Sequence, residues 1–130
     1  MGFVFSPCII PFRSTLMTED RLKGFLQKLN QFYEEKEWKQ FHSPKNLAMG
    51  VASEAGELLQ IFRFLTETES SQLDPKTLEQ VKDEIGDVFI FLTYLADVLG
   101  LDAIELAHRK FEKASQKYSS NFYNGRKEKA

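Results

Sequence analysis

The stretches Ser53-Glu54-Ala55-Gly56-Glu57-Leu58 and Asp83-Glu84-Ile85-Gly86-Asp87-Val88 share one pattern, acid-x-Gly-acid followed by apolar residues. Leu58, Ile61, Phe62 and Leu65 continue the first stretch at helical spacing, and Ile85, Val88, Phe89 and Leu92 continue the second. Residues three apart on a helix share a face. Each helix therefore presents two carboxylates beside the stripe expected to be buried, not opposite it. Either pair alone reads most simply as a solvated face that pairs with basic neighbours. Duplication reverses that reading. Four carboxylates converging at a half-buried seam repel one another and lose hydration unless a cation joins them. Glu54, Glu57, Glu84 and Asp87 are thus the expected ligands of a hard divalent ion, for which magnesium suits: it takes six oxygens and keeps some of them as water. A glycine inside a helix costs about 1 kcal/mol against alanine. The matched Gly56 and Gly86 therefore predict that a backbone or a substrate approaches closely there.

Outward from these stretches the chain reads as four helices. Ser43-Pro44 and Asp74-Pro75 each place a capping side chain before a proline at the first helical position. They predict helices over about 44–65 and 75–99, with a polar loop over 66–72 between them. Gly100 ends the second of these. Asp102, with Glu105 three residues later, reads as a capping box opening a helix over about 103–118. Towards the N-terminus, Thr18 is an N-cap followed by acids, and Leu22, Phe25, Leu26, Leu29, Phe32 and Tyr33 form one stripe, predicting a helix over about 18–38. No segment alternates as a strand does. The expected fold is an all-α, four-helix-bundle-like domain over residues 17–118, with an extension over 1–16 and a polar tail over 119–130. The extension is too short to span a bilayer and lacks the basic start of a signal peptide. Its Met-Gly start with Ser6 fits the permissive N-myristoylation pattern. An extra start ahead of Met17, or an arm packing on a neighbouring subunit, accounts for it better.

Composition narrows the partners. With 130 residues the chain has room for one domain. A net charge of −2 offers no basic face for nucleic acid, although a small nucleotide carried in by a metal ion remains compatible. The single cysteine, Cys8, rules out an intrachain disulfide and fits a reducing, cytoplasmic setting. Two histidines and one cysteine weigh against zinc. Glu105-x-x-His108 occurs once, whereas a di-iron bundle needs that motif twice. Twelve phenylalanines, four tyrosines and a tryptophan exceed what one small bundle hides, which predicts a homo-oligomer, a dimer or a dimer of dimers, and no membrane association.

Glu54-x-x-Glu57, a gap, then Glu84-x-x-Asp87 resembles the MazG-like all-α nucleoside triphosphate pyrophosphohydrolases. Glu37-Trp38-Lys39-Gln40-Phe41-His42-Ser43-Pro44-Lys45-Asn46-Leu47 is similar to the dCTP pyrophosphatase branch, and the likeness extends over about residues 20–118. The resemblance implies magnesium-dependent cleavage between the α- and β-phosphates of dCTP and related deoxynucleotides, giving a monophosphate and pyrophosphate, in a dimeric or tetrameric assembly. It implies base stacking by Trp38 and puts Phe64 and Phe91 where that branch often has tryptophan and tyrosine. On the last helix it implies phosphate contacts from Lys110 and a further contact from Tyr118, while Ala114 stands where an asparagine is usual. Glu54 is the chosen general base among the four acids. The rival reading is a non-catalytic helical module that docks through its apolar stripes. Loss of an acid would favour it, and all four are present.

Overall fold

Helix α1 (Arg13–Glu35) is followed by a 3-10 turn (Trp38–Phe41), α2 (Pro44–Phe62), the single-turn α3 (Glu67–Ser70), α4 (Pro75–Val98) and α5 (Ala103–Lys117). The structure, a computed structural model, describes the backbone of residues 13–119 and the side chains of residues 21–119. The myristoylation pattern, Cys8 and residues 120–130 of the tail lie outside the described residues. No strand occurs among the described residues, as the all-α reading expects. No described helix is long and apolar enough to cross a membrane.

The caps explain most of the boundaries. The Ser43 hydroxyl accepts from Asn46 N at 3.2 Å. The Asp74 carboxylate accepts from Lys76 N and Thr77 N, each at 3.0 Å, and from the Thr77 hydroxyl at 2.6 Å, which holds its pKa below the ordinary aspartate value. At the other end of α4, Gly100 takes φ +69. Gly100 N bonds to Asp97 O and Leu101 N to Ala96 O, both at 2.9 Å, which closes a Schellman turn.

Four local expectations need correction. The backbone is already helical from Arg13, so Thr18 lies inside α1 and does not cap it. A threonine's capping preference is weak against a continuing ladder of backbone hydrogen bonds. Helix α1 also stops at Glu35, because Glu37 adopts φ +55, in the left-handed region that a right-handed helix cannot contain. Trp38 consequently begins the 3-10 turn instead of ending a helix. The segment expected as a plain loop contains α3, capped by a true reciprocal box: Glu69 N donates to the Thr66 hydroxyl at 3.2 Å and Thr66 N donates to the Glu69 carboxylate at 2.8 Å. At Asp102 one carboxylate oxygen takes both Ile104 N (2.8 Å) and Glu105 N (3.0 Å), a single-sided cap and not the expected box.

The described chain divides after Lys39 into two compact units. In the first, Tyr33 is buried, and Phe32, Tyr33 and Trp38 form an aromatic cluster with ring centroids 5.6–6.3 Å apart. In the second, α2 and α4 form the dominant helix pair and α5 meets α4. Gly50 lies against Phe91, while Gln60 and Ile61 share a cavity with Gln80, so α2 and α4 run antiparallel. Leu47, Val81, Tyr94 and Ala96 are the buried apolar residues of this unit. Thr93 is buried with them, its hydroxyl donating to Phe89 O at 2.7 Å. Of the stripe expected to be buried on α4, Ile85, Phe89 and Leu92 are instead about half exposed. The periodicity is real, but that face stays exposed among the described residues.

Candidate metal centre

Antiparallel pairing brings the two acid pairs together. Glu54 and Glu57 stand on the middle turns of α2, and Glu84 and Asp87 on the middle turns of α4. One carboxylate oxygen from each of Glu54, Glu84 and Asp87 lies within 4.8 Å of the others. Oxygens sharing one magnesium ion at about 2.1 Å stand at most about 4.2 Å apart. A small inward movement of the side chains therefore converts this set into a coordination sphere. Glu57 stands outside the group of three and lines a cavity of about 420 Å³ beside it, together with Gln60, Ile61, Gln80, Asp83 and Glu84.

The electrostatics match the crowding. Loss of hydration raises the Glu54 pKa first, and repulsion from Glu57, Asp87 and Glu84 adds to it. Glu84 is raised by the same cause and by Glu57, Asp87 and Asp83. Its Oε2 is shut off from solvent and has no hydrogen-bond partner among the described residues. A shielded carboxylate oxygen without a donor is costly. A divalent ion would supply the missing partner and neutralise the neighbouring charges, so these residues fit a hard metal.

The remaining residues singled out from the sequence spread more widely. Phe91 lies one turn beyond Asp87, its ring packed flush on the α2 backbone at Gly50. Phe64 follows the end of α2, is 82% exposed and carries the Arg63 guanidinium 4.4 Å from its ring centroid. Lys110 is exposed on α5, and Tyr118 caps that helix with Lys117 Nζ 5.4 Å from its ring centroid. None of these four lines the cavity. Trp38 belongs to the first unit, where it packs edge-on against Phe32 and is 46% exposed. His42 packs edge-on against the buried Tyr94, and that burial lowers its pKa. No backbone makes the close approach expected at Gly56 and Gly86 among the described residues, since an added Cβ at either would meet nothing within 4 Å. Gly50 is the glycine under close approach. Sequence reading also missed Gln60, Gln80 and Asp83 as cavity residues. The signal was present, because each lies within four residues of an acid already chosen.

No family model matches the chain. The chain is 30% identical to dCTP pyrophosphatase 1 of Mus musculus over 117 residues, covering 88% of this chain and 68% of that protein. It is 30% identical to the Rattus norvegicus protein of the same name over 97 residues, and 32% identical to that of Homo sapiens over 88 residues. Those matches span 57% and 52% of the relatives' length, little more than half. A solved pyrophosphatase from Archaeoglobus fulgidus aligns with a TM-score of 0.68 and 35% identity, covering 77% of this chain and 94% of its own.

Proposed function

We propose, from the premise that the chain belongs to the MazG-like all-α nucleoside triphosphate pyrophosphohydrolases and is related among them to dCTP pyrophosphatases, that it converts dCTP and related deoxynucleotides to monophosphates with magnesium. It is a nucleotide pyrophosphohydrolase, and the rival reading as a non-catalytic module is set aside. The observation that carries the magnesium reading is the convergence of Glu54, Glu84 and Asp87 around a shielded, unpartnered Glu84 oxygen. Glu54, Glu84 and Asp87 would hold the ion, and Glu57 would complete the set from the cavity side. When bound, magnesium supplies Lewis-acid neutralisation of phosphate charge and acidifies water.

The chain's own groups do the rest. Glu54 accepts the proton of the attacking water, and a carboxylate whose pKa is raised by lost hydration and acidic neighbours is a better base. The water oxygen bonds to the α-phosphorus as the bridge to the β-phosphate breaks, and pyrophosphate leaves. Trp38 stacks on the base, Phe64 and Phe91 add aromatic surface, and Lys110 and Tyr118 contribute from α5. Residues 17–118 form the catalytic domain. A nucleotide substrate, a single cysteine and a net charge of −2 suit the cytoplasm and no nucleic-acid partner.

A panel of nucleotides assayed with magnesium and with EDTA tests this reading. Pyrophosphate and monophosphate are expected with magnesium, and nothing with EDTA. Phosphate released without added pyrophosphatase would overturn the position of the cut. Among bases dCTP is expected to lead. Trp38→Ala is expected to raise KM for all bases about equally, because stacking is blind to the base edge. Ribonucleotides turned over as well as deoxynucleotides, or dCTP among the poorest substrates, would defeat the assignment of substrate.

The same reading includes assembly with a second copy. Tyr33, Leu47, Val81, Tyr94 and Ala96 are the buried apolar side chains among the described residues, a thin core for a chain of this length. Leu78, Ile85, Phe89 and Leu92 leave an exposed stripe along α4 that continues to Leu99 at its C-cap, and Met49 and Leu59 are exposed on α2. Apolar stripes at helical spacing are covered well by the same stripes of an identical chain related by a two-fold axis. Light scattering at micromolar concentration is expected to find a dimer or a dimer of dimers. A stable monomer would contradict it.

A further inference from the structure

The cavity beside the acid cluster has a composition that the four acids do not explain. Each helix adds a glutamine one turn from its acid on the cavity side: Gln60 lies three residues after Glu57 on α2, and Gln80 four residues before Glu84 on α4. Such spacings keep glutamine and acid on one face. Because the helices are antiparallel, both glutamines fall at the same end of the cluster and line one cavity with Ile61 and Asp83. Neither carboxamide hydrogen-bonds to the protein among the described residues, and no lysine or arginine lines the cavity.

Three converging carboxylates leave an octahedral ion with open positions. The cavity adjoins the set through Glu84. Magnesium sheds water reluctantly and keeps several molecules as ligands. Such waters need acceptors around them. A carboxamide oxygen accepts from a water without adding to the repulsion among the acids, which a further carboxylate would worsen. We propose that Gln60 and Gln80 are positioning residues that hold the water shell of the magnesium ion at Glu54, Glu57, Glu84 and Asp87, with Asp83 accepting from the same shell. This rests on the reading of the acid cluster as a magnesium centre.

Both glutamines are exposed, so their replacement leaves the fold intact. The test is calorimetric titration of magnesium, and separately of calcium, into the full chain without nucleotide. The parent, Gln60→Leu with Gln80→Leu, Gln60→Glu with Gln80→Glu, and Glu84→Gln are compared, with circular dichroism confirming equal helicity. The leucine pair is expected to weaken magnesium binding about tenfold or more, as loss of outer partners does. Calcium, which takes more oxygens directly from the protein and in looser geometry, should lose markedly less. The glutamate pair keeps an acceptor at both places and adds negative charge beside the ion, so its magnesium affinity should not fall below that of the parent. Parental magnesium affinity in the leucine pair, or equal losses for magnesium and calcium, would overturn the role of the glutamines while leaving the metal centre standing. If the parent binds no magnesium and Glu84→Gln changes nothing, the metal centre itself fails and takes this proposal with it.

Discussion

Glu84→Gln is expected to abolish turnover and, at neutral pH, to make the metal-free protein harder to unfold. The two effects share one cause. Glu84 Oε2 is shielded from water and unpartnered, and lost hydration together with Glu57, Asp87 and Asp83 raises the pKa of the carboxyl. Glutamine has the same shape without the charge, so the repulsion disappears with the ligand. The loss of activity should exceed the roughly ten- to hundredfold that follows removal of an outer partner, because a converging oxygen is removed. The sign of the pH effect follows from linkage. An acid whose folded pKa is raised loses stability for the native state as pH rises from its unfolded value through its folded one. Below the ordinary glutamate value of about 4.3 the parent carboxyl is protonated in both states. The thermal advantage of Glu84→Gln should therefore be present at neutral pH and vanish in acid. Magnesium should raise the melting temperature of the parent and not of the variant, since only a chain that binds the ion gains from it. Asp87→Asn should likewise abolish turnover, because it too removes a converging oxygen. A Glu84→Gln protein with parental turnover and an unchanged need for magnesium would remove Glu84 from the ligand set.

Gly50→Ala is expected to lower the unfolding free energy by about 1–3 kcal/mol, the usual cost of overpacking. A Cβ at Gly50 would stand 2.5 Å from Cδ1 and Cε1 of Phe91, closer than side-chain carbons approach. The ring must move, and it moves at the helix pair that aligns the acids, so activity should fall as well. Phe91→Leu in the same chain frees that space and should recover part of the lost stability, a coupling that a double-mutant cycle in urea measures. Gly86→Ala provides the contrast. Its Cβ meets nothing within 4 Å, so it should gain up to about 1 kcal/mol from helix propensity alone. If Gly50→Ala unfolds at the parental urea concentration, the close approach of α2 to the Phe91 ring is not a feature of the folded protein.

The sequence alone determined the helical class and the two central helices, and it singled out the acid pairs that α2 and α4 bring together. Ser43-Pro44, Asp74-Pro75 and Gly100 mark their ends correctly because capping acts over three or four residues and is written into adjacent letters. The acid pairs were legible because spacing of three is itself a statement about a helix face. Local signals failed where the backbone chose against the residue type. Glu37 in the left-handed region ended α1 early, and Thr66 with Glu69 built a one-turn helix from a stretch that looked like a loop. Tertiary structure alone decided which glycine bears a neighbour, which acids converge and which face of α4 stays open. Gly56 and Gly86 looked special as a matched pair, but it is Gly50 that takes the Phe91 ring. Four acids looked equivalent, but three converge and Glu57 turns to the cavity with Gln60 and Gln80. Those outcomes depend on how far one antiparallel helix is shifted and rotated against the other. Packing between side chains some thirty to forty residues apart sets that register, and no local pattern encodes it.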